Sequence, residues 1–165
     1  MEELRVLMET LQPTNGETLS SWFTLPIDEA EFEEKMGVET DSEAYRIIEK
    51  ELPFADEIKE MTPVETLNDF YEMYEDLPYH IQIEYEAIMT EYYGLNELYE
   101  KRYDIIHFPD VTSMTELAIM KCKTDPAFQS LSEEAQRYFD YEAYADNLNA
   151  NGYYLETEHG IYQLP

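Results

Sequence analysis

Residues 60–100 read EMTPVETLNDFYEMYEDLPYHIQIEYEAIMTEYYGLNELYE, 41 residues with eleven carboxylates and no Lys or Arg. Surface helices ordinarily mix signs, because opposite charges at i, i+4 stabilise a helix and like charges there destabilise it. This stretch forgoes that help. It is not a solvated tail either, since Leu67, Phe70, Tyr71, Tyr74, Leu77, Ile81, Ile83, Ile88 and Tyr92 recur at near-helical spacing. Thr62-Pro63-Val64-Glu65 has the form of a helix start, with Thr62 as N-cap, Pro63 at the first helical position and Glu65 completing a capping box. The spacing predicts a helix to about Asp76, a break at Leu77-Pro78, a second helix over 79–93 stopped by Gly94, and a short third over 95–103. A small helical bundle with a uniformly negative surface is expected at 62–103.

Before this bundle the pattern changes to period two. Residues 4–11 (LRVLMETL) and 19–25 (LSSWFTL) read as antiparallel strands joined by a turn at Pro13, Asn15 and Gly16, with Trp22 as a core anchor. Pro26 ends the second strand. Asp28 and Glu31 form the start of a helix (EAEFEEKM) that offers Ala30, Phe32 and Met36 inward and stops at Gly37. The run 43–54 fits either a third strand or a helix, and the strand is favoured, since Tyr45, Ile47 and Ile48 suit a sheet and Pro53 closes it.

After the bundle, residues 104–108 (DIIHF) read as a strand, and Ser113 with Glu116 caps a helix to about Lys123. Asp125-Pro126 is a break. Ser132 then caps a helix bearing Tyr138, Tyr141, Tyr144, Ala145 and Leu148 as one apolar stripe, ended by Gly152, and 153–164 reads as a hairpin turning at Glu158-His159-Gly160. The fold class expected is α+β, an elongated chain of three small domains: 1–61, a small antiparallel sheet with one helix; 62–103, the helical bundle; 104–165, a mixed domain with the C-terminal hairpin.

Charge narrows the function. The chain has 38 Asp and Glu against 10 Lys and Arg, a formal net of −28. The excess is spread: 17 acids against 5 bases in 1–61, 10 against 2 in 62–103, and 11 against 3 in 104–165. Such a chain repels DNA, RNA and anionic membranes, so neither nucleic acid nor membrane is an expected partner. No basic, apolar leader and no apolar run of membrane-spanning length is read, and the single Cys122 excludes an internal disulfide framework and fits a reducing cytoplasm.

Catalytic signals are weak. With 38 carboxylates, a pair at glycosidase separation arises by chance. There is no calcium loop, no His-Glu-x-x-His and no Gly-rich phosphate loop. His80 and Glu84 lie one helical turn apart and could share a metal, but read more simply as exposed helix residues; His107 and His159 read as isolated. Cys122, between Lys121 and Lys123, reads as a structural thiol because neighbours in sequence diverge around a helix. No enzyme, no metal and no cofactor is expected. The charge is itself the signal. At one charge per ~1.7 Å of duplex axis, a net of −28 corresponds to roughly 48 Å, about 14 base pairs.

Four blocks, SSWFTLPIDEAEFEEKMGV (20–38), ELPF (51–54), LNDFYEMYEDLP (67–78) and YFDYEAYADNLNANGYYLETEHGIYQL (138–164), resemble the ArdA family of antirestriction proteins in the family's order and over nearly the whole chain. The resemblance implies an elongated three-domain protein that dimerises end to end, imitates bent B-form DNA and is carried on mobile elements. It also implies a type I restriction–modification enzyme, through its methyltransferase core, as partner, with inhibition by occupation of the DNA-binding groove. Its dimer contact and antirestriction motif fall by position near 128–145, and Tyr138, Phe139, Tyr141 and Tyr144 are expected to divide between core and dimer interface. The segment 111–115 is poorer in acid than the family pattern implies. The partner-binding residues expected are Glu65, Asp69, Glu72, Glu75, Asp76, Glu84, Glu86, Glu91, Glu97 and Glu100, acting as a set. The alternatives are a mimic aimed at another basic DNA-binding protein and a small carboxylate-based hydrolase.

Overall fold

The computed structural model describes residues 3–12 and 17–165, so the turn expected at Pro13, Asn15 and Gly16 lies outside the described residues. The fold is α+β as expected, with nine helices and two three-stranded antiparallel sheets among the described residues. The chain divides into two compact units. One holds the residues up to Leu77 with Tyr92–Tyr99; the other holds Pro78–Glu91 with Glu100–Pro165.

In the first unit, strand β1 (Arg5–Thr10) lies between β2 (Ser20–Thr24) and β3 (Tyr45–Glu51). Alternation along β1 buries Val6, Met8 and Thr10 and turns Arg5, Leu7 and Glu9 to the other face. Helix α1 (Glu29–Met36) covers the buried face, with Phe32 5.2 Å from the Phe23 ring and 4.9 Å from Tyr45. Its ends follow local chemistry. The Asp28 carboxylate accepts from Ala30 N at 2.9 Å, and Gly37 takes φ +69°, a left-handed value that glycine adopts without a Cβ clash. Ala30, expected inward, is exposed, because two residues on from it Phe32 is about 200° around the helix and owns the buried side. Trp22 also differs from expectation. It is paired with Leu7 on the outer face, half-buried, with the Arg5 guanidinium 4.4 Å from its ring, and Phe23 is the anchor instead. A register shift between Leu7 and Met8 leaves Ile48 of β3 exposed.

Helix α2 (Val64–Glu75) begins one residue later than its capping signature implied. Thr62 Oγ1 accepts from Lys59 N at 2.8 Å, so it is spent on the preceding turn, and extended Pro63 becomes the cap, its carbonyl accepting from Leu67 N at 3.0 Å. Val64 and Leu67 are buried, and Phe70 and Tyr74 lie against Phe54 at 5.6 and 5.9 Å. Asn68 fastens α2 to the connection between β2 and α1, accepting from Ile27 N at 2.8 Å and donating to Ile27 O at 3.0 Å.

In the second unit, β6 (Gly160–Leu164) runs between β4 (Ile106–Phe108) and β5 (Tyr153–Thr157). One face of β6 places Ile161 with Val111 and Leu117 under α6 (Met114–Thr124), and the other places Tyr162 against His107 and His80. Burial on both faces makes β6 a nearly continuous apolar run. Ser113 accepts from Glu116 N at 3.1 Å, as the capping signature implied.

Two long helices expected from sequence are broken. The one over 79–93 becomes α3 (Tyr79–Gln82) and α4 (Tyr85–Met89). The break at Glu84, φ −121° and ψ 29°, lets Ile81, Tyr85 and Ile88 be buried while the Glu84 side chain turns to His159. The α5 helix (Leu95–Lys101) follows as expected. The helix expected from Ser132 onward divides into α8 (Glu133–Arg137) and α9 (Tyr141–Asn151), after α7 (Pro126–Gln129). Asp140 caps α9 by accepting from Ala143 N at 3.0 Å. The stripe is cut accordingly: Ala145 is buried, whereas Tyr138 is 77% exposed.

Candidate partner-binding surface

Glu65, Asp69, Glu72 and Asp76 follow one another at i, i+4, i+7 and i+11 on α2 and its last turn, and all four are exposed. At about 100° per residue they fall within about 40° of the direction opposite buried Leu67, so they form one row. Glu75, also exposed, flanks it. At a rise of about 1.5 Å per residue the row spans ~16 Å, with neighbouring carboxylates every ~4.5–6 Å of axis. One strand of B-DNA places a charge every ~3.4 Å of axis. The α2 row therefore has about two thirds of that linear density.

Like charges at ~6 Å repel by about 0.7 kcal/mol in water before salt screening. Fully burying one Leu stabilises by roughly 1.5–3 kcal/mol, so the packing of Val64 and Leu67 outweighs the repulsion along the row.

The other expected site residues are more mixed. In the first unit, Glu97 is half-buried and accepts from Tyr93 N at 2.9 Å, while Asp76 itself accepts from the Tyr99 hydroxyl at 3.0 Å. In the second unit, Glu86, Glu91 and Glu100 are exposed, and Glu91 accepts from the Tyr153 hydroxyl. Glu84 is drawn in, its side chain 14% exposed and 2.5 Å from His159 Nδ1. The expected set thus contains the α2 row, further exposed carboxylates, and side chains that also hold the fold.

Four basic side chains of the first unit, Arg5, Lys35, Arg46 and Lys50, have local partners. Arg5 pairs with Glu51 at 2.5 Å, Lys35 with Glu31 at 2.7 Å, and Arg46 with Glu60 at 2.9 Å and with Glu9. The Arg5 guanidinium holds the Glu51 carboxyl below the usual carboxylate range through their hydrogen bond. Lys50 donates to the carbonyls of Ala55 at 3.0 Å and Ile58 at 2.6 Å. None of these partners is a carboxylate of the α2 row. The hollow lined by Arg46, Ile47, Ile48, Lys50 and Glu60 has its cations satisfied in this way and is no anion site.

In the second unit, three of the four residues expected at a dimer contact gather in one aromatic cluster. Phe139 is its hub, with ring centroids 5.1 Å from Phe128, 5.2 Å from Tyr141 and 6.0 Å from Tyr144. Phe128, Phe139, Tyr141 and Tyr144 are each half-buried, and Tyr138 stands outside the cluster. Phe128, which opens the region 128–145 expected for the dimer contact, was not among the four residues named for it.

The sequence reading missed the histidines. His80, paired in the reading with Glu84, instead stacks on His107, and Glu84 pairs with His159, so none of the three is isolated. Among the described residues no group of His, Cys, Asp and Glu could hold a metal, and no helix is long and apolar enough to cross a membrane. Cys122 is buried, and burial pushes its thiol up in pKa, the opposite of activation.

No curated protein matches the chain. The family model described as antirestriction protein (ArdA) matches residues 13–163, nearly the entire length. With the order of its sequence blocks, its α+β fold and its carboxylate-lined helix, the chain belongs to the ArdA family of antirestriction proteins.

Proposed function

We propose that this antirestriction protein acts without catalysis, inhibiting type I restriction–modification enzymes by occupying the groove in which their methyltransferase core binds DNA. The observation that carries the reading is the α2 row, Glu65, Asp69, Glu72 and Asp76, exposed opposite a buried face and spaced toward the phosphate density of a DNA strand. Glu75, Glu84, Glu86, Glu91, Glu97 and Glu100 add to the same negative field, within a chain of net charge −28. A basic groove evolved for phosphates meets carboxylates of the sign it requires, at about two thirds of a strand's charge density, and the field raises the rate of encounter. Because the mimicry is distributed, no single carboxylate is indispensable. Its place of action is the cytoplasm, where incoming DNA meets restriction enzymes, and a gene for it suits a mobile element.

The half-buried cluster of Phe128, Phe139, Tyr141 and Tyr144 supports a homodimer, since aromatic side chains left half-covered in one chain gain burial against a second. Doubling the chain doubles the length of duplex it can replace.

The deciding experiment mixes the purified protein with a type I methyltransferase core holding a labelled duplex and follows anisotropy. Displacement at moderate salt, weakening as salt rises, is the expected result. Failure to displace the duplex, with tight binding to another basic DNA-binding protein, would transfer the mimicry to that partner; turnover of a substrate would restore the hydrolase.

A further inference from the structure

The chain has three histidines, and the second unit brings all of them to one place. His80 of α3 stacks on His107 of β4, centroids 5.4 Å apart and planes within 11°. His107 stacks in turn on Tyr162 of β6, at 4.3 Å and 8°. Tyr162 donates its hydroxyl to the His80 carbonyl at 2.5 Å. His159, in the β5–β6 turn, places its carbonyl 2.7 Å from His107 Nε2 and its own Nδ1 2.5 Å from Glu84. These contacts join Pro78–Glu91 to the β4-β6-β5 sheet across long sequence separations.

The proton inventory of His80 is asymmetric. Its ring is held by the Ile105 backbone, while Nε2 is buried without a hydrogen-bond partner. A neutral ring can leave a lone pair there. A protonated ring would place an N–H with no acceptor in that position, and a charge against His107. The ionisable groups facing it are His107 from β4 and Tyr162 from β6; Glu84, behind α3, is turned to His159 and also faces Tyr162.

We propose that this stack is a proton-operated latch: with His80 neutral it holds Pro78–Glu91 on the β4-β6-β5 sheet, and protonation of His80 releases that segment. Burial, and secondarily His107, lower the pKa of His80 from 6.5, so the open form binds the proton more readily than the closed one. Closure is therefore complete above the ordinary histidine value and is lost as pH falls below it. The neighbouring His159–Glu84 pair is partly exposed, and such a pair contributes less than a buried, unsatisfied N–H costs. The released segment carries Glu84, Glu86 and Glu91, so acidification would also remodel the carboxylate surface; that consequence rests on the proposed function, whereas the latch does not.

The test uses the full chain without any partner, so its failure is distinct from failure of the DNA-mimic reading. Hydrogen–deuterium exchange, corrected for intrinsic rates, is measured at pH 7.5 and pH 5.5 on peptides covering 79–91 and, as reference, β1. Protection of 79–91 is expected to fall by up to about tenfold, the limit over this interval for one site whose open form titrates at 6.5, with β1 unchanged. His80→Phe keeps a ring in the stack and removes the proton site, so the fall should disappear. Unchanged protection in the wild type, or the same fall in His80→Phe, would overturn the latch. Should His80→Phe not fold, histidine Cε1–H titration in the wild-type chain decides: one histidine must titrate below the ordinary value together with the loss of protection, and if none does the proposal is wrong.

Discussion

Glu57, at the end of the 3-10 turn Ala55–Glu57, presents both carboxylate oxygens to the backbone N–H of Leu95, at 3.1 and 3.0 Å. It thereby satisfies one of the donors left open at the start of α5 from 38 residues away. Replacing Glu57 by Ala is expected to cost about 0.5–2 kcal/mol, the range for loss of a helix cap, and to fray α5 first. Gly94→Ala should act on the same contact, because its Cβ would lie 2.6 Å from Glu57 Oε1. Urea unfolding of each variant measures the loss; wild-type stability in both would remove the cap from the account.

The α2 row should titrate by number rather than by position. Glu65→Gln, Asp69→Asn or Glu72→Gln alone should weaken duplex displacement less than about threefold, since each removes one of many charges. All three together should weaken it by an order of magnitude or more and flatten its salt dependence. Competition isotherms at two salt concentrations read both quantities. A single substitution that abolished inhibition would instead indicate a true active site.

Self-repulsion sets a second dependence on salt. With a net charge of −28, the folded chain concentrates negative charge that the unfolded chain dilutes. Raising ionic strength from 10 to 150 mM shortens the screening length from about 30 to about 8 Å and should raise the thermal midpoint at neutral pH. Flat melting curves across that range would contradict it.

Phe139→Ala removes the hub of the aromatic cluster. A dimer in solution should become a monomer by light scattering, whereas Tyr138→Ala, outside the cluster and 77% exposed, should leave the fold intact. An unchanged mass for a folded Phe139→Ala chain would place the dimer contact elsewhere.

Glu116 gives a pH dependence of known sign. The Thr112 N–H at 2.7 Å and hydroxyl at 3.0 Å hold its carboxyl below the ordinary value of 4.5. A depressed carboxyl contributes stability that is complete above the unfolded value and is lost as pH falls through the folded one. Glu116→Gln should therefore be less stable than wild type at pH 7, with the difference closing below about pH 4.5. Parallel pH–stability curves would show that these hydrogen bonds contribute nothing.

Much of this protein could be read from short-range chemistry. Asp28, Ser113 and Gly37 end their helices as the sequence indicates, because a cap is a contact between residues two to four apart. The β5–β6 hairpin and the three strands of the first sheet follow in the same way from alternation and turn residues. The exposed row on α2 was legible too, since helical spacing and the absence of bases are properties of one segment. What remained hidden depends on residues that only the folded chain brings together. Glu84 leaves its helix for His159, 75 residues on; Glu57 caps α5; Trp22 yields the core to Phe23 according to which face α1 covers. Composition determined by itself that the molecule is a polyanion, and local pattern determined its elements. Tertiary structure decided which carboxylates stand in solvent and which hold the fold, because hydrogen bonding and burial between distant segments leave no period in the sequence.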